Sequence, residues 1–191
     1  RALGSAVQAV AFGLGIMALL TLTLVRSYLL RTWQASLPPD APNRFIACLQ
    51  PDQLSAARAM FADAALPPPD FSPMVRGRLV AVNGRAVSSA DYTNERAKRL
   101  VDREFNLSWS AVAPGHNRLV SGSWWTPERT SASEWSMEEG IALTLGIRQG
   151  DELAYEIAGK RVSGRVSSLR KVDWDSFRIN FFAIGTPEIG R

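Results

Sequence analysis

The chain has 191 residues, 46% of them apolar and 9% aromatic, enough for the packed core of one domain or two small subdomains. Its formal charge of +4 and pI of about 9.7 invite a nucleic-acid reading. Yet Arg1, Arg26 and Arg31 lie in the first 36 residues, where there is no acid, leaving 19 basic against 18 acidic residues beyond; so balanced a remainder lacks the electrostatic footprint for phosphates, which excludes nucleic acid as a partner.

The first predicted element is a membrane span. Ala2 to Val25 is a run of 24 residues without a charge, and Gln8 is its one strongly polar member. As a helix it would cover roughly 36 Å, more than a hydrocarbon core of about 30 Å. A signal peptide fits poorly, because the apolar stretch is overlong, the basic leader is absent and no clear small-x-small cleavage site precedes Pro38. The chain starts on Arg1 and is expected to be a piece of a longer membrane protein. Ala2, Ala6, Ala9 and Gly13 fall on one helical face, where small side chains allow a neighbouring helix to approach closely. The general frequency of Ala and Gly in spans accounts for them equally well. Tyr28, Leu29, Trp33 and Leu37 keep a helical spacing past the span, which reads as an interfacial belt and a short stalk over residues 1–36.

Pro38, Pro39 and Pro42 end that helix, since proline lacks the N–H donor and restricts its predecessor; Pro38 and Pro39 are the expected stalk joint. Beyond them a β-α-β unit is expected: a strand over Arg44–Leu49, a helix capped by Asp52 with an apolar stripe at Leu54, Ala57, Met60, Phe61 and Ala64, and a strand over Val75–Val82 closed by Asn83-Gly84. Cys48, the single cysteine, reads as a buried small hydrophobe. It identifies no compartment, and the arginines of the first segment do not fix orientation.

From Ser88 the pattern changes. Tyr92 to Arg103 predicts a charged, exposed helix and Phe105 to Trp109 a strand, followed by a turn-rich stretch through His116 and Gly122. Ser136-Met137-Glu138-Glu139 predicts a capping box whose helix stops at Gly146. A hairpin is expected from Glu152–Ile157 and Lys160–Leu169 around Ala158-Gly159, then a last strand from Phe177 to Ile184 after the Asp173-Trp174-Asp175-Ser176 turn. The fold class is therefore α+β.

Reactive constellations are missing. Ser121-Gly122-Ser123-Trp124 has the wrong spacing for a nucleophile elbow. His116, the one histidine, sits in a turn signal, and one histidine with one cysteine does not make a usual zinc site. Glu138 and Glu139, being adjacent, diverge on a helix, and there is no Gly-rich phosphate loop with lysine. The basic stretch from Arg76 to Arg103 is balanced by Asp91, Glu95, Asp102 and Glu104, and reads as a solvated face in preference to one that meets lipid headgroups. A non-catalytic protein is expected.

Longer strings carry a family resemblance. Arg76-Gly77-Arg78-Leu79, Asn106-Leu107-Ser108-Trp109, the Ser136 to Gly140 box, Leu145-Gly146, Gly150-Asp151, Ser168-Leu169-Arg170-Lys171-Val172-Asp173-Trp174 and Asn180-Phe181-Phe182 stand in order behind the span. Together they resemble the second large periplasmic region of YbbP-type permeases, within the FtsX/MacB/LolC group of ABC transporters. The resemblance implies a bacterial inner-membrane permease, multi-pass in full, with its soluble domain in the periplasm. Its partners would be a cytoplasmic ABC ATPase subunit that holds ATP-Mg, the rest of the permease, membrane lipids, and an acceptor such as a periplasmic esterase or thioesterase. It implies no cofactor in this chain. Residues 37–87 would form a Porter-like part and 88–185 a Sabre-like part, with 186–191 an exit segment. A complete domain of this kind returns to the membrane through a further β-α element, so the Porter-like part is expected to be half present. The function implied is mechanotransmission: the domain moves with the ATPase and extracts or exports a hydrophobic or lipid-like substrate. The rival readings are a single-span sensor or scaffold with an extracytoplasmic binding domain, and a membrane-tethered hydrolase, which the missing triad disfavours.

Overall fold

The computed structural model describes residues 2–36, 45–126, 132–176 and 178–190. The chain divides into two compact units, residues 1–43 and 44–191.

The first unit is one helix, α1 (Ala2–Ser36), of 35 residues. It continues through the expected interface region without a break, about 52 Å at the usual rise. Its segment Gly4–Ala35 has a window of mean hydropathy 2.0, long and apolar enough to cross a membrane. Thr21 and Thr23 donate their hydroxyls to the carbonyls of Met17 and Leu19, each at 2.8 Å. These two hydroxyls are thus satisfied within the helix.

The second unit contains helices α2 (Leu54–Asp63), α3 (Glu95–Val101) and α4 (Glu139–Leu145). Its strands are β1 (Val75–Val82), β2 (Arg85–Ala86), β3 (Phe105–Trp109), β4 (Asn117–Gly122), β5 (Glu134–Glu138), β6 (Glu152–Ile157), β7 (Lys160–Val172) and β8 (Ala183–Gly185). All eight belong to one sheet, and β6 pairs with both β1 and β7. The pairings therefore close a ring of six strands, β1-β3-β8-β5-β7-β6, with β2 and β4 attached at its rims. Closure removes free strand edges from the ring. Its filling is Leu79, Phe105, Leu107, Trp135, Met137, Leu153, Tyr155 and Val166, covered by Ala97 and Leu100 of α3 and by Ile141 and Leu145 of α4. Tyr155 meets Trp135 and Phe105 edge-on, with ring centroids 5.0 and 6.1 Å apart. A second cluster of Trp125, Phe181 and Ile184 packs separately.

Several elements stand as their sequence indicates. β1 spans Val75–Val82, and Asn83 (φ 51°) and Gly84 (φ 77°) take the left-handed conformations that a tight hairpin turn needs. Gly146 ends α4 at φ 71°.

Other expectations are corrected. No strand forms over the described part of 44–49. Phe45 to Gln50 carries no regular structure, and Cys48, at φ 63°, turns the chain out of an extended path. The expected β-α-β unit is therefore a helix followed by a strand. Cys48 is exposed. Asp52 does not cap α2: Pro51–Gln53 forms a 3-10 turn, and Gln53 precedes the helix. The helix expected at Tyr92–Arg103 is confined to Glu95–Val101, where the Asn94 side chain accepts from the amides of Arg96 and Ala97. Three of its residues, Ala97, Leu100 and Val101, are buried, because they recur at helical spacing between the charges. Ser136 is not a cap. It lies in β5 with its hydroxyl accepting from Ser168 Oγ at 2.9 Å, and Glu138 caps α4. The stretch before Gly122 is a strand, β4, and the last strand is only Ala183–Gly185. Phe177 lies outside the described residues.

Gly164 shows how tightly the ring is packed. A Cβ there would lie 2.8 Å from Trp135 Nε1, 2.9 Å from its Cδ1 and 3.0 Å from the Ser133 carbonyl. Gly164→Ala is expected to destabilise the domain by about 1–3 kcal/mol in chemical denaturation, whereas Gly115→Ala, in open space, changes little. Equal midpoints for the two variants would contradict this packing.

Candidate functional site

The expected helix-packing residues lie on α1. Ala6, Ala9 and Gly13 are exposed, and a Cβ on Gly13 would meet nothing within 4 Å. Ala2 belongs to the same helix. Pro38 and Pro39 lie outside the described residues.

His116 serves the fold. Its Nε2 lies 3.1 Å from Asn180 Oδ1 and 3.3 Å from the Ile179 carbonyl, while Asn117 Nδ2 donates to the same Asn180 oxygen. Asn180 Nδ2 donates in turn to the Asp173 carbonyl at 2.9 Å. The histidine thus anchors the loop before β8. Among the described residues no group of three His, Cys, Asp or Glu side chains could hold a metal ion.

Two clefts open on the second unit. One, of about 510 Å³, is lined by Asn83, Gly150, Glu152 and Arg165, whose polar atoms are largely engaged locally. Asn83 Nδ2 donates to Asp151 Oδ1, its Oδ1 accepts from the Glu152 amide, and Arg165 Nε donates to the Gly150 carbonyl.

The other, of about 550 Å³, has a different chemistry. Its floor is Leu100, Ile141, Trp174 and Phe182, and its rim is Arg96, Arg99 and Arg103. Arg96 and Arg99 lie three residues apart on α3, and Arg103 follows just beyond the end of that helix. Trp174 is 47% exposed and lies against Phe182, with centroids 4.9 Å apart. Arg103 sits over the Phe182 ring at 4.8 Å, a cation–π contact. The acid in this cleft, Glu138, is committed elsewhere: its carboxylate accepts from the amides of Gly140 at 3.0 Å and Ile141 at 2.7 Å.

Behind Glu138 lies Arg170 of β7, only 1% exposed. Its guanidinium donates to Asn117 Oδ1 and to the Phe181 carbonyl, while Nε has no hydrogen-bond partner. Burial pushes its pKa down to about 10 and the nearby Glu138 carboxylate opposes that shift, so the side chain stays charged at neutral pH. Arg170 therefore ties β4, β7 and the approach to β8 together. The Arg-Lys-Val-Asp-Trp string contained it, but an arginine in an exposed-looking basic run gave no sign of burial. The cleft could have been suspected from Arg96, Arg99 and Arg103 alone; Trp174 and Phe182 reach it only through the fold.

An apolar helix long enough to span a bilayer, joined to a domain without a reactive constellation among its described residues, matches a class found by sequence comparison: the chain is related to ABC transporter permeases. The relative is the uncharacterized ABC transporter permease YbbP of Escherichia coli (strain K12), 38% identical over 177 residues. That match covers 93% of this chain and 21% of the relative, so the chain spans about a fifth of the length of the protein it resembles. The likeness to YbbP-type permeases read from the residue strings is borne out. No family model matches the chain.

Arg170→Met would leave Asn117 Oδ1 and the Phe181 carbonyl without their donor. The expected cost is about 1–3 kcal/mol of unfolding free energy, read from urea titration followed by circular dichroism. An unchanged midpoint would show that the buried guanidinium holds nothing together.

Proposed function

We propose that the chain is part of the permease subunit of an ATP-driven ABC transporter of the bacterial inner membrane, with its second unit in the periplasm. The observation that carries this reading is α1, 35 residues without a break. Its length of about 52 Å exceeds the hydrocarbon core by roughly 20 Å, enough for one rigid element to begin in the membrane and end in the aqueous phase. The relationship to YbbP supports the permease role. In this reading a separate cytoplasmic subunit binds ATP-Mg and hydrolyses it, and this chain contributes no catalytic residue and no cofactor site.

The helix transmits displacement because its hydrogen-bond ladder resists bending, and Pro38 and Pro39 form the joint where it meets the periplasmic domain. The row Ala2, Ala6, Ala9 and Gly13 packs against another helix of the permease. Residues 37–87 descend from a Porter-like part and 88–185 from a Sabre-like part, sharing one sheet through the pairing of β1 with β3 and β6. Motion of the domain extracts or exports a hydrophobic or lipid-like substrate, which a periplasmic esterase or similar acceptor receives.

Replacing Pro38 and Pro39 with a Gly-Ser pair in the full-length permease tests the joint. With the ATPase subunit present, ATP hydrolysis should persist while substrate movement falls to background and thermal stability stays the same. Unaltered substrate movement in that variant would count against transmission through the stalk.

A further inference from the structure

We infer that the cleft between α3 and Trp174 is a binding site for a small amphipathic anion, a phosphate or carboxylate head joined to an apolar body. The inference goes beyond the permease reading, because it assigns a ligand to a site on this chain and is tested without ATPase or transport.

Charge complementarity is the first argument. Arg96, Arg99 and Arg103 have no ion-pair partner among the described residues, although Lys98 on the same helix pairs with Glu95 at 2.8 Å. The one acid of the cleft is shared: Glu138 keeps its charge, but both its oxygens accept backbone hydrogen bonds at the start of α4 and the buried Arg170 lies near the same carboxylate. Three cations therefore line one side of one cleft against a single carboxylate. A guanidinium binds phosphate or carboxylate through two parallel N–H donors, and Arg96 and Arg99 are free to do so.

The floor supplies the second argument. Aqueous anions such as inorganic phosphate need no aromatic surface, yet Trp174 and Phe182 lie against each other, tilted by 40°, beside the arginines, with Leu100 and Ile141 below. Arg103 is already laid over Phe182, so it marks the seam between the charged rim and the apolar floor. An occupant that satisfies both halves carries charge at one end only. The volume of about 550 Å³ falls in the roughly 300–1,000 Å³ range of small-molecule sites. A protein partner would need about 800 Å² of its own surface in contact, a flatter and larger patch.

The test uses the full chain in nanodiscs of zwitterionic phosphatidylcholine, with equilibrium dialysis of octyl phosphate and subtraction of empty discs. Saturable binding of one octyl phosphate per chain is expected, weakened about ten-fold or more by the double substitution Arg96→Gln and Arg99→Gln, whose side chains are exposed and leave the core untouched. Octanol, which lacks the charge, should bind about ten-fold more weakly than octyl phosphate. Trp174→Ala should weaken octyl phosphate but leave the binding of inorganic phosphate as it was. Discs that contain phosphatidylglycerol separate the sources: competition with octyl phosphate identifies a lipid headgroup as the anion, and its absence identifies a soluble amphiphile. Equal affinity in native and doubly substituted chains, or equal affinity for octanol and octyl phosphate, would overturn the inference. So would a failure to bind octyl phosphate alongside binding of an acidic, aromatic peptide that the double substitution abolishes, which would make the cleft a protein-docking surface.

Discussion

The rest of the domain depends on the backbone pairing of β8. Ala183, Ile184 and Gly185 pair in parallel with Leu107, Ser108 and Trp109 of β3, and antiparallel with Met137, Ser136 and Trp135 of β5. Without these three residues the sheet would be a strip joined only through β6, with β3 and β5 each presenting a bare edge. Neighbouring bonds extend the seam: the amides of Ser110 and Glu138 donate to the carbonyls of Gly185 and Phe182, and the Thr186 hydroxyl donates to the Ala132 carbonyl at 2.6 Å. Residue types follow from the geometry. A Cβ at Gly185 would lie 2.8 Å from Ile189 Cδ1 and 3.1 Å from its Cβ, so a side chain there would have to displace Ile189.

The cleft is a consequence of that closure. Phe182 stands one residue before β8 and Trp174 in the turn after β7, while α3 and α4 are fixed by the apolar residues they add to the ring's core. Glu138 is the pivot. It ends β5, caps α4 and lies close enough to Arg170 to favour that residue's charged form. One carboxylate thus favours the charged form of the buried cation and makes no ion pair with the three exposed arginines among the described residues.

Legibility in the sequence followed the range of the interactions. Elements set by local chemistry were readable: the uncharged run of α1, the alternating β1, the Asn83-Gly84 and Ala158-Gly159 turns, and the αL stop at Gly146. Elements set by distant partners were not. Ser136 carries every local mark of a cap, but parallel pairing with Ser168, 32 residues away, draws it into a strand. β4 shows little alternation because Leu119 and Val120 are both partly exposed on a strand bonded to β7 alone. Phe45-Ile46-Ala47-Cys48-Leu49 has strand composition but no partner strand among the described residues, and composition without a partner does not make a strand. In the cleft, helix periodicity brings Arg96 and Arg99 together, whereas Arg103 lies past the end of α3 and the aromatic floor comes from more than 70 residues further along the chain.

Native-state hydrogen exchange on the full chain tests the closed ring most directly. The amides of β8 and those bonded across it, Ser110 and Glu138 among them, are expected to exchange only with the global unfolding that also releases the β6–β7 hairpin. Exchange of these amides through a lower-energy opening, while β6 and β7 stay protected, would show that β8 is an appended strand and that the ring does not hold the domain together.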